Sequence, residues 1–554
     1  MTKEKKRVRS SASILLCCII AAGMLAACSS NNNNGNSASS ESSTPSADAG
    51  NNGGNQSTKN EDPVTIDWLA YNSFGQMTPG NTIDKMVSEK FNAKFNVWYI
   101  DSSNWVDALN VKLAGGEMPD VLLVKPDFNT ISKYVDNGVL APISEDTIRQ
   151  FAPSYAKLID QYDLWNTVKY DGQIYALPAI NINGDYPTAL IWRQDWLKKV
   201  GITKIPQTLQ EFEDALIKIR NNDPDGNGKK DTYGLSDYAM PAILGAFGYP
   251  GISDFKNAGK GIVNLDYIQK DGRIQLAAIQ PEMKDALTLL AKWYKEELID
   301  PEFITSENTG GYWADSNAFY NNRIALTGKG MYYHWRNKMN PNAPDDLGGG
   351  QYQNLLKAQP TAEIAFGTPP VGSGGKSGTI KWGVNAPPVG ITTKGAKDPR
   401  KMETILKMAE ASITDFDYYN TTFRGVEGED WKEENGSYIN LNPKITTADA
   451  AKKGIAVYHM IESPDFNKKF DAFNYQFADS VKTTGYSPFP APTVDSFTKY
   501  AGDLTKLTDD AYLKIILGEA SPDSFDDFVK KFKANGGDQI EKDVNDTYNK
   551  MVGK

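Results

Sequence analysis

The chain has 554 residues, 40% of them hydrophobic and 11% aromatic, which is enough for two or three domains with a substantial core and excludes a disordered chain. Its formal net charge of −10 argues against a nucleic-acid partner, because phosphate backbones are bound by clustered Lys and Arg. All three cysteines fall within the first 28 residues, so the body of the chain has no thiol for a disulfide or a metal.

The amino-terminus reads as a targeting segment. "KEKKRVR" is a basic n-region, "ILLCCIIAAGML" an apolar h-region, and "LAAC" ends at Cys28. The ending resembles the lipobox of bacterial lipoproteins, which are cut before the Cys and lipidated on its sulfur. The apolar run is shorter than the ~20 residues a membrane-spanning helix needs. Residues 1–28 are therefore expected to be a lipoprotein signal peptide with a lipidated Cys28. The segment carries five basic residues and one Glu, so its removal changes the net charge to −10 − 4 = −14. Residues 29–60 are rich in Ser, Asn and Gly and lack any large apolar side chain, as expected of a disordered tether with a reach of about 30 Å. A body tethered to the outer face of the cell membrane captures or processes something in the medium.

The body opens on "PVTIDWLAY", a strand-like run from Pro63 to Tyr71. Helix-like and strand-like stretches then alternate: "TIDKMVSEKF", "FNVWYID", "WVDALNVKLAGG", "PDVLLV". That alternation predicts an α/β fold with a largely parallel sheet. Ligands of such sheets lie beyond the carboxyl ends of strands, which singles out Trp68, Tyr71 and Asn72, and then Lys125, Asp127 and Phe128. Further on, "PQTLQEFEDALIKIR" places Thr208 and Glu211 at capping-box spacing, with Phe212, Ala215, Leu216 and Ile219 on one core-facing side. "SPDSFDDFVKKFKANGG" repeats the scheme with Phe525, Phe528, Val529 and Phe532 and is expected to stop at Gly536 and Gly537.

The helix after Thr208 runs into "NNDPDGNGKKDTYG". Counted from Asp223, oxygen donors fall at positions one, three, five, seven and nine: Asp223, Asp225, Asn227, the Lys229 carbonyl and Asp231. Gly228 stands sixth, where the sharp turn of a calcium loop needs glycine. Hard oxygens at this spacing point to a structural Ca²⁺, although position twelve is Gly234 rather than the bidentate Glu of an EF-hand. The bland alternative is an Asx-rich turn, since Pro224, Gly226 and Gly228 all favour turns.

Several segments together resemble the family 1 extracellular solute-binding proteins of ABC importers, in their large Gram-positive lipoprotein branch. They are "GGEMPDVLLV", "DGQIYALPA", "ALIWRQDWLKKVGITKIPQTLQEFEDAL", "FYNNRIALTGKGMYYHW", "GVEGEDW" and "ILGEASPDSFDDFVKKFKANGG", spread over nearly all of the chain after residue 63. The resemblance implies a two-lobed periplasmic-binding-protein-like fold of type II, with crossovers near "YALPA" and "GVNAPPVGI" and the ligand held between the lobes. Lobe 1 is expected over 63–178 and 385–475, and lobe 2 over 179–384 and 476–554. The implied ligand is a carbohydrate, whose apolar C–H face and hydroxyl edge suit aromatic platforms ringed by polar side chains. On that implication the substrate-binding candidates are Trp68, Asn72, Asp127 and Phe128 at strand ends of lobe 1, and Trp192, Arg193, Tyr332 and Trp335 in lobe 2. Arg424 and Glu427 would join them from a loop at the cleft mouth. Each has a plainer reading: a ring beside a strand is more often core, Arg193 can pair with Asp195, and Glu427 can be solvated. The resemblance further implies a monomer that works with separate permease subunits and a separate ATPase. The alginate-binding members carry a similar calcium loop with an acidic residue directly after the ninth position; here that residue is Thr232.

Catalytic machinery is hard to find. His334 and His459 are the only histidines and are far apart, and "GSGGKSG" has Pro370 where a phosphate loop needs glycine. The enzymatic rival is a surface-anchored glycoside hydrolase or polysaccharide lyase, which needs two carboxylates ~5–9.5 Å apart. No segment repeats the strand–carboxylate pattern of a glycosidase barrel, so no enzyme activity is expected.

Overall fold

The computed structural model describes residues 62–553 apart from 70–74, 101–104, 125–127, 249–264, 305–312, 344–345 and 493. Cys28, the signal segment and the tether lie outside the described residues, as do Asn72 and Asp127.

Strands β1 (Val64–Leu69), β2 (Ala93–Trp98) and β3 (Val121–Leu123) begin a first sheet. Buried Val64, Ile66 and Trp68 alternate with more exposed positions, the period-two pattern of a strand packed on one side. After β4 (Ala176–Ile180) the chain leaves for a second sheet of β5 (Leu190–Arg193), β6 (Tyr233–Leu235), β7 (Ile324–Thr327) and β8 (Ile364–Gly367), then returns along β9 (Asn385–Ile391). The sheet orders are β2-β1-β3-β9-β4 and β8-β5-β7-β6. Helices flank both sheets, giving two α/β lobes.

The sheets are mixed rather than largely parallel. β1 pairs in parallel with β2 and β3, whereas β9 runs antiparallel to β3 and to β4, and β5 antiparallel to β7 and β8. The cause is topological: a strand arriving from the other lobe enters from the end where βαβ strands leave.

Two apolar cores follow the same division. One draws on residues 64–180 and 389–461, the other on 190–326 and 504–544. The connections between them form a narrow ribbon. Asn181 N donates to Val384 O at 2.8 Å, Gly383 N to Gly184 O at 3.0 Å, and Thr188 N to Ile380 O at 2.8 Å. Only glycine fits at Gly184, where a Cβ would sit 1.9 Å from Gly383 O. A third connection passes through helices Pro464–Phe470 and Ala472–Ser480 into Gly485–Tyr486, which pairs with Thr379–Ile380.

The helix expected within "PQTLQEFEDALIKIR" forms as Leu209–Asn221 with a complete Thr208–Glu211 capping box and buries Phe212, Ala215, Leu216 and Ile219. A capping residue of this kind contributes about 1 kcal/mol. The predicted stop at Gly536 and Gly537 becomes a bend. Helix Ser524–Phe532 buries Phe525, Phe528 and Phe532, turns at Gly536 (φ 119°), and continues as helix Asp538–Met551. That last helix is fixed to lobe 2 by Asn545 and Glu541, which accept from Ile274 N and Leu276 N. Its final turn reaches lobe 1, where Met551 O accepts from Gly172 N at 3.0 Å.

Candidate functional site

Two strand ends feed one place. Beyond β4, a short turn over Ile182–Asp185 presents Asn183 and leads to Tyr186. Beyond β7, Gly330 (φ 99°) turns the chain into the short helix Tyr332–Trp335. The Tyr332 hydroxyl donates to Asn183 Oδ1 at 3.1 Å, and the rings of Tyr186 and Tyr332 lie 5.0 Å apart. Helix Ala472–Ser480 closes the group with Tyr475, its ring 6.2 Å from Tyr186, and with Asn474, whose Nδ2 lies 3.4 Å from the Tyr332 hydroxyl. Burial raises the pKa of all three tyrosines, so they are neutral donors at any physiological pH.

A charged set, half-buried at Arg424 and Glu462 and exposed at Asp471, adjoins the rings. Arg424 stacks over Phe470 at 3.9 Å and donates from Nη2 to Asn467 Oδ1 at 2.6 Å, while its buried Nε has no hydrogen-bond partner among the described residues. Burial alone pulls its pKa below the usual guanidinium range. Burial likewise raises Glu462 and Asp471, with Arg424 acting against it in both. Glu462 Oε2 accepts from Ile182 N at 3.1 Å, tying this set to the turn beyond β4. From lobe 2, Arg336 bonds Asp346 at 2.7 Å; burial opposes ionisation of Asp346, but the N–H groups of Met339, Asn340 and Gly348 and the Arg336 cation hold it at about 2. A cavity of about 220 Å³ opens beside Arg424, walled by Phe423, Trp431 and Phe470 with Asn440 and Asn442. The rings of Tyr186, Tyr332 and Tyr475 are buried against one another in this conformation, so the surface open to a polyhydroxylated ligand is the Arg424 cavity, where rings, amides and a cation line one wall.

Two expected ligand residues, Tyr332 and Arg424, stand in this group. Others do not. Trp68 is core: it is buried, its Nε1 donates to Val457 O at 3.0 Å, and its ring meets Phe95 edge-on. Trp192 is wholly buried with its ring edge-on to Phe212 at 5.1 Å, and Trp335 is wholly buried against Phe319 with Nε1 donating to Lys329 O. Neither leaves a ring face for a ligand. Arg193 is a structural clamp, bidentate to Asp195 at 2.9 and 2.8 Å, bonded to Asn322 and stacked on Trp196. Glu427 is exposed, in a turn bridged to Trp431. Phe128 opens helix Phe128–Asp136, but its side chain, like Asn72 and Asp127, lies outside what is described. Residues missed by motif reading are Asn183, Tyr186, Glu462, Asp471, Asn474 and Tyr475. For Asn183 a signal existed, since "NINGDY" directly follows the crossover strand.

The acidic loop folds as a tight coil, with Asp223 at φ 45° and Gly226 and Gly228 at 76° and 75°. Asn227 sits among the carboxylates: its Nδ2 lies 2.8 Å from Asp225 and 3.1 Å from Asp231, and its N lies 3.2 Å from Asp223. Gly228 N also donates to Asp223, which lowers that pKa, while burial and then the neighbouring Asp223 and Asp231 raise Asp225. The donors are hard oxygens and suit a divalent cation chemically. No three acidic side chains among the described residues are close enough to form a ready metal cluster; in this loop the Asn227 amide stands between Asp225 and Asp231. Thr232, directly after the ninth position, is buried and bonds Ile219 O at 3.3 Å, so it faces the core and not the loop.

Residues 82–404 match the family model described as bacterial extracellular solute-binding protein. The chain belongs to that family. The solute-binding protein is 25% identical over 498 residues to Lipoprotein LipO of Bacillus subtilis, covering 85% of this chain and 90% of that one. It is 22% identical over 496 residues to the polygalacturonan/rhamnogalacturonan-binding protein YtcQ of Bacillus subtilis, covering 86% and 90%. The alginate-binding protein AlgQ2, solved without calcium ion, shares the two-lobed fold with a TM-score of 0.54 and 17% identity, over 89% of this chain and all of that one. Among the described residues, no helix of the solute-binding protein is long and apolar enough to cross a membrane.

Proposed function

We propose that this solute-binding protein captures a carbohydrate, an oligosaccharide in its natural form, outside the cell and delivers it to an ABC permease by closing its lobes. The observation that carries the reading is the convergence of Asn183 and Tyr186 beyond β4 and Tyr332 beyond β7 with Tyr475, Arg424, Glu462 and Asp471 from the third connection and lobe 1. Each lobe holds part of the contact surface, so a ligand touching both stabilises the closed form by its differential affinity. The cavity beside Arg424 is below the ~300–1,000 Å³ of larger ligand pockets and suits one ring of a longer chain. An acidic sugar from a pectic polymer is a natural first probe, given the ligands that YtcQ is named for. Permease and ATPase are separate chains, the protein acts as a monomer, and Cys28 carries the lipid that holds it at the outer membrane face.

The loop from Asp223 to Asp231 holds a structural Ca²⁺ on this reading. Rotation of the Asn227 amide would bring its oxygen in beside Asp223, Asp225, Asp231 and the Lys229 carbonyl. The ion would neutralise three crowded carboxylates and stiffen the end of helix Leu209–Asn221; it has no part in ligand chemistry.

The test is calorimetric titration with oligogalacturonides and neutral oligosaccharides, with chromatography of the recovered sugar. Saturable binding of at least one sugar, recovered intact, supports the reading. Release of shortened products would instead establish the hydrolase or lyase.

A further inference from the structure

Trp382 is 55% exposed, whereas Trp68, Trp192, Trp196, Trp293 and Trp335 are all buried. It stands on the ribbon that joins the lobes, next to Lys381, whose ammonium is 2.5 Å from Asp185 at the end of the facing turn. Asp185 also takes Lys482 at 2.6 Å. Over this ribbon lies a cavity of about 620 Å³. One wall is the Gln161–Thr167 region of lobe 1, including Asn166; the other is Pro488, Phe489 and Pro490 with Tyr548 of lobe 2. None of the rings and charges that build the interlobe site lines it; Asp185, which does, is the neighbour of Tyr186 in sequence.

The volume falls within the ~300–1,000 Å³ typical of small-molecule sites. Its chemistry is two-sided. The open indole and the stiff proline wall offer flat apolar faces, while Asn166 and the Asp185–Lys381 pair offer hydrogen bonds along an edge. A wholly apolar guest would strip water from that ion pair without replacing its hydrogen bonds. A highly charged guest of either sign would meet a like charge in the wall, Asp163 and Asp185 for an anion and Lys381 for a cation. A neutral sugar, with a C–H face and a hydroxyl edge, satisfies both sides.

We propose that this cavity is a second saccharide site, separate from the one between the lobes, with Trp382 as the stacking platform and Asn166 and the Asp185–Lys381 pair as hydroxyl partners. Because its walls belong to different lobes and its floor is their hinge, a sugar seated here bears on lobe rotation. Its affinity and that of the interlobe site are then linked reciprocally.

Fluorine NMR of the full chain labelled with 5-fluorotryptophan tests this, using kestose and raffinose as neutral probes and Trp382→Phe to assign the resonance. The expected result is a saturable shift of the Trp382 signal with at least one probe, weakened about fivefold by Asn166→Ala, the loss of roughly one hydrogen bond. Arg424→Ala must leave that shift in place. A Trp382 signal that stays still with both sugars overturns the site, whatever the interlobe site does. A shift abolished by Arg424→Ala overturns it too, because Trp382 would then only be reporting lobe closure. A Trp382 shift in a protein whose interlobe site takes no sugar keeps the second site and refutes the reading above.

Discussion

Arg424 shows how one side chain can be both costly and useful. A guanidinium taken out of water with an unpaired Nε is unfavourable on its own, so a ligand hydroxyl or carboxylate that reaches it recovers more than it would in solvent. Arg424→Ala is expected to weaken sugar binding by about 1.5–3 kcal/mol, roughly 10- to 150-fold in Kd by calorimetry. Acid stability follows from other residues. His459, stacked on Phe423 at 4.2 Å, is pushed down to about 3, and His334 to about 4, in both cases by burial first. Unfolded histidine binds its proton near 6.5, so between about pH 4 and 6.5 each favours the unfolded chain as pH falls. Buried Asp315, raised to about 7, acts the other way: the folded state holds the proton in that window and loses stability as pH rises. Glu462 and Asp471, also raised by burial, act in the same sense as Asp315 and offset part of the loss that the histidines cause on acidification. Denaturant titrations across about pH 4–6.5 should show His459→Gln weakening the loss of stability on acidification and Asp315→Asn strengthening it.

At the scale of elements, the patterns legible in the sequence were the local ones. The helix after Thr208 could be read to its cap because capping box and apolar face are set by residues three and four apart. The indoles of Trp192 and Trp335 could not be assigned in the same way. Whether a ring beside a strand faces core or cleft depends on which element covers it, here Phe212 for one and Phe319 for the other, and that pairing is set by the tertiary fold rather than by any local spacing. The ion-binding character of the 223–231 loop is visible in its alternation, yet the inward turn of Thr232 is not, because the core set by Ile219 determines it. Two measurements follow. Calcium should raise the melting temperature of the wild type, and Asp223→Ala should abolish that rise; a wild type indifferent to calcium would end the ion reading. Gly184→Ala places a methyl group against Gly383 O within the ribbon. The ribbon must then part, and thermal unfolding should show a loss of 1–3 kcal/mol or more, as for other strained backbone positions, together with altered sugar affinity.

For the whole molecule, the two-lobed architecture was accessible through the ordered set of segments from "GGEMPDVLLV" to "DDFVKKFKANGG", though no one segment decides it. The candidate site was less legible. Asn183, Arg424, Glu462 and Tyr475 span nearly 300 residues of sequence and meet only because three connections pass through the same place. If the lobes close on the ligand, small-angle scattering should show a smaller radius of gyration with a bound oligosaccharide than without; unchanged dimensions would count against closure.

The order of strands in the first sheet has a consequence for how the chain becomes a protein. β9 lies between β3 and β4, yet it follows β4 by about 200 residues. At the usual ~5–20 residues per second of synthesis, the gap between those two strands stays unfilled for on the order of 10–40 s. Throughout that interval two edges are unpaired, the condition that invites strand addition by other chains. A fragment ending before residue 385 would keep both edges open for good, so lobe 1 cannot be obtained by cutting the chain once; it has to be assembled from two pieces or held unfolded until the rest arrives.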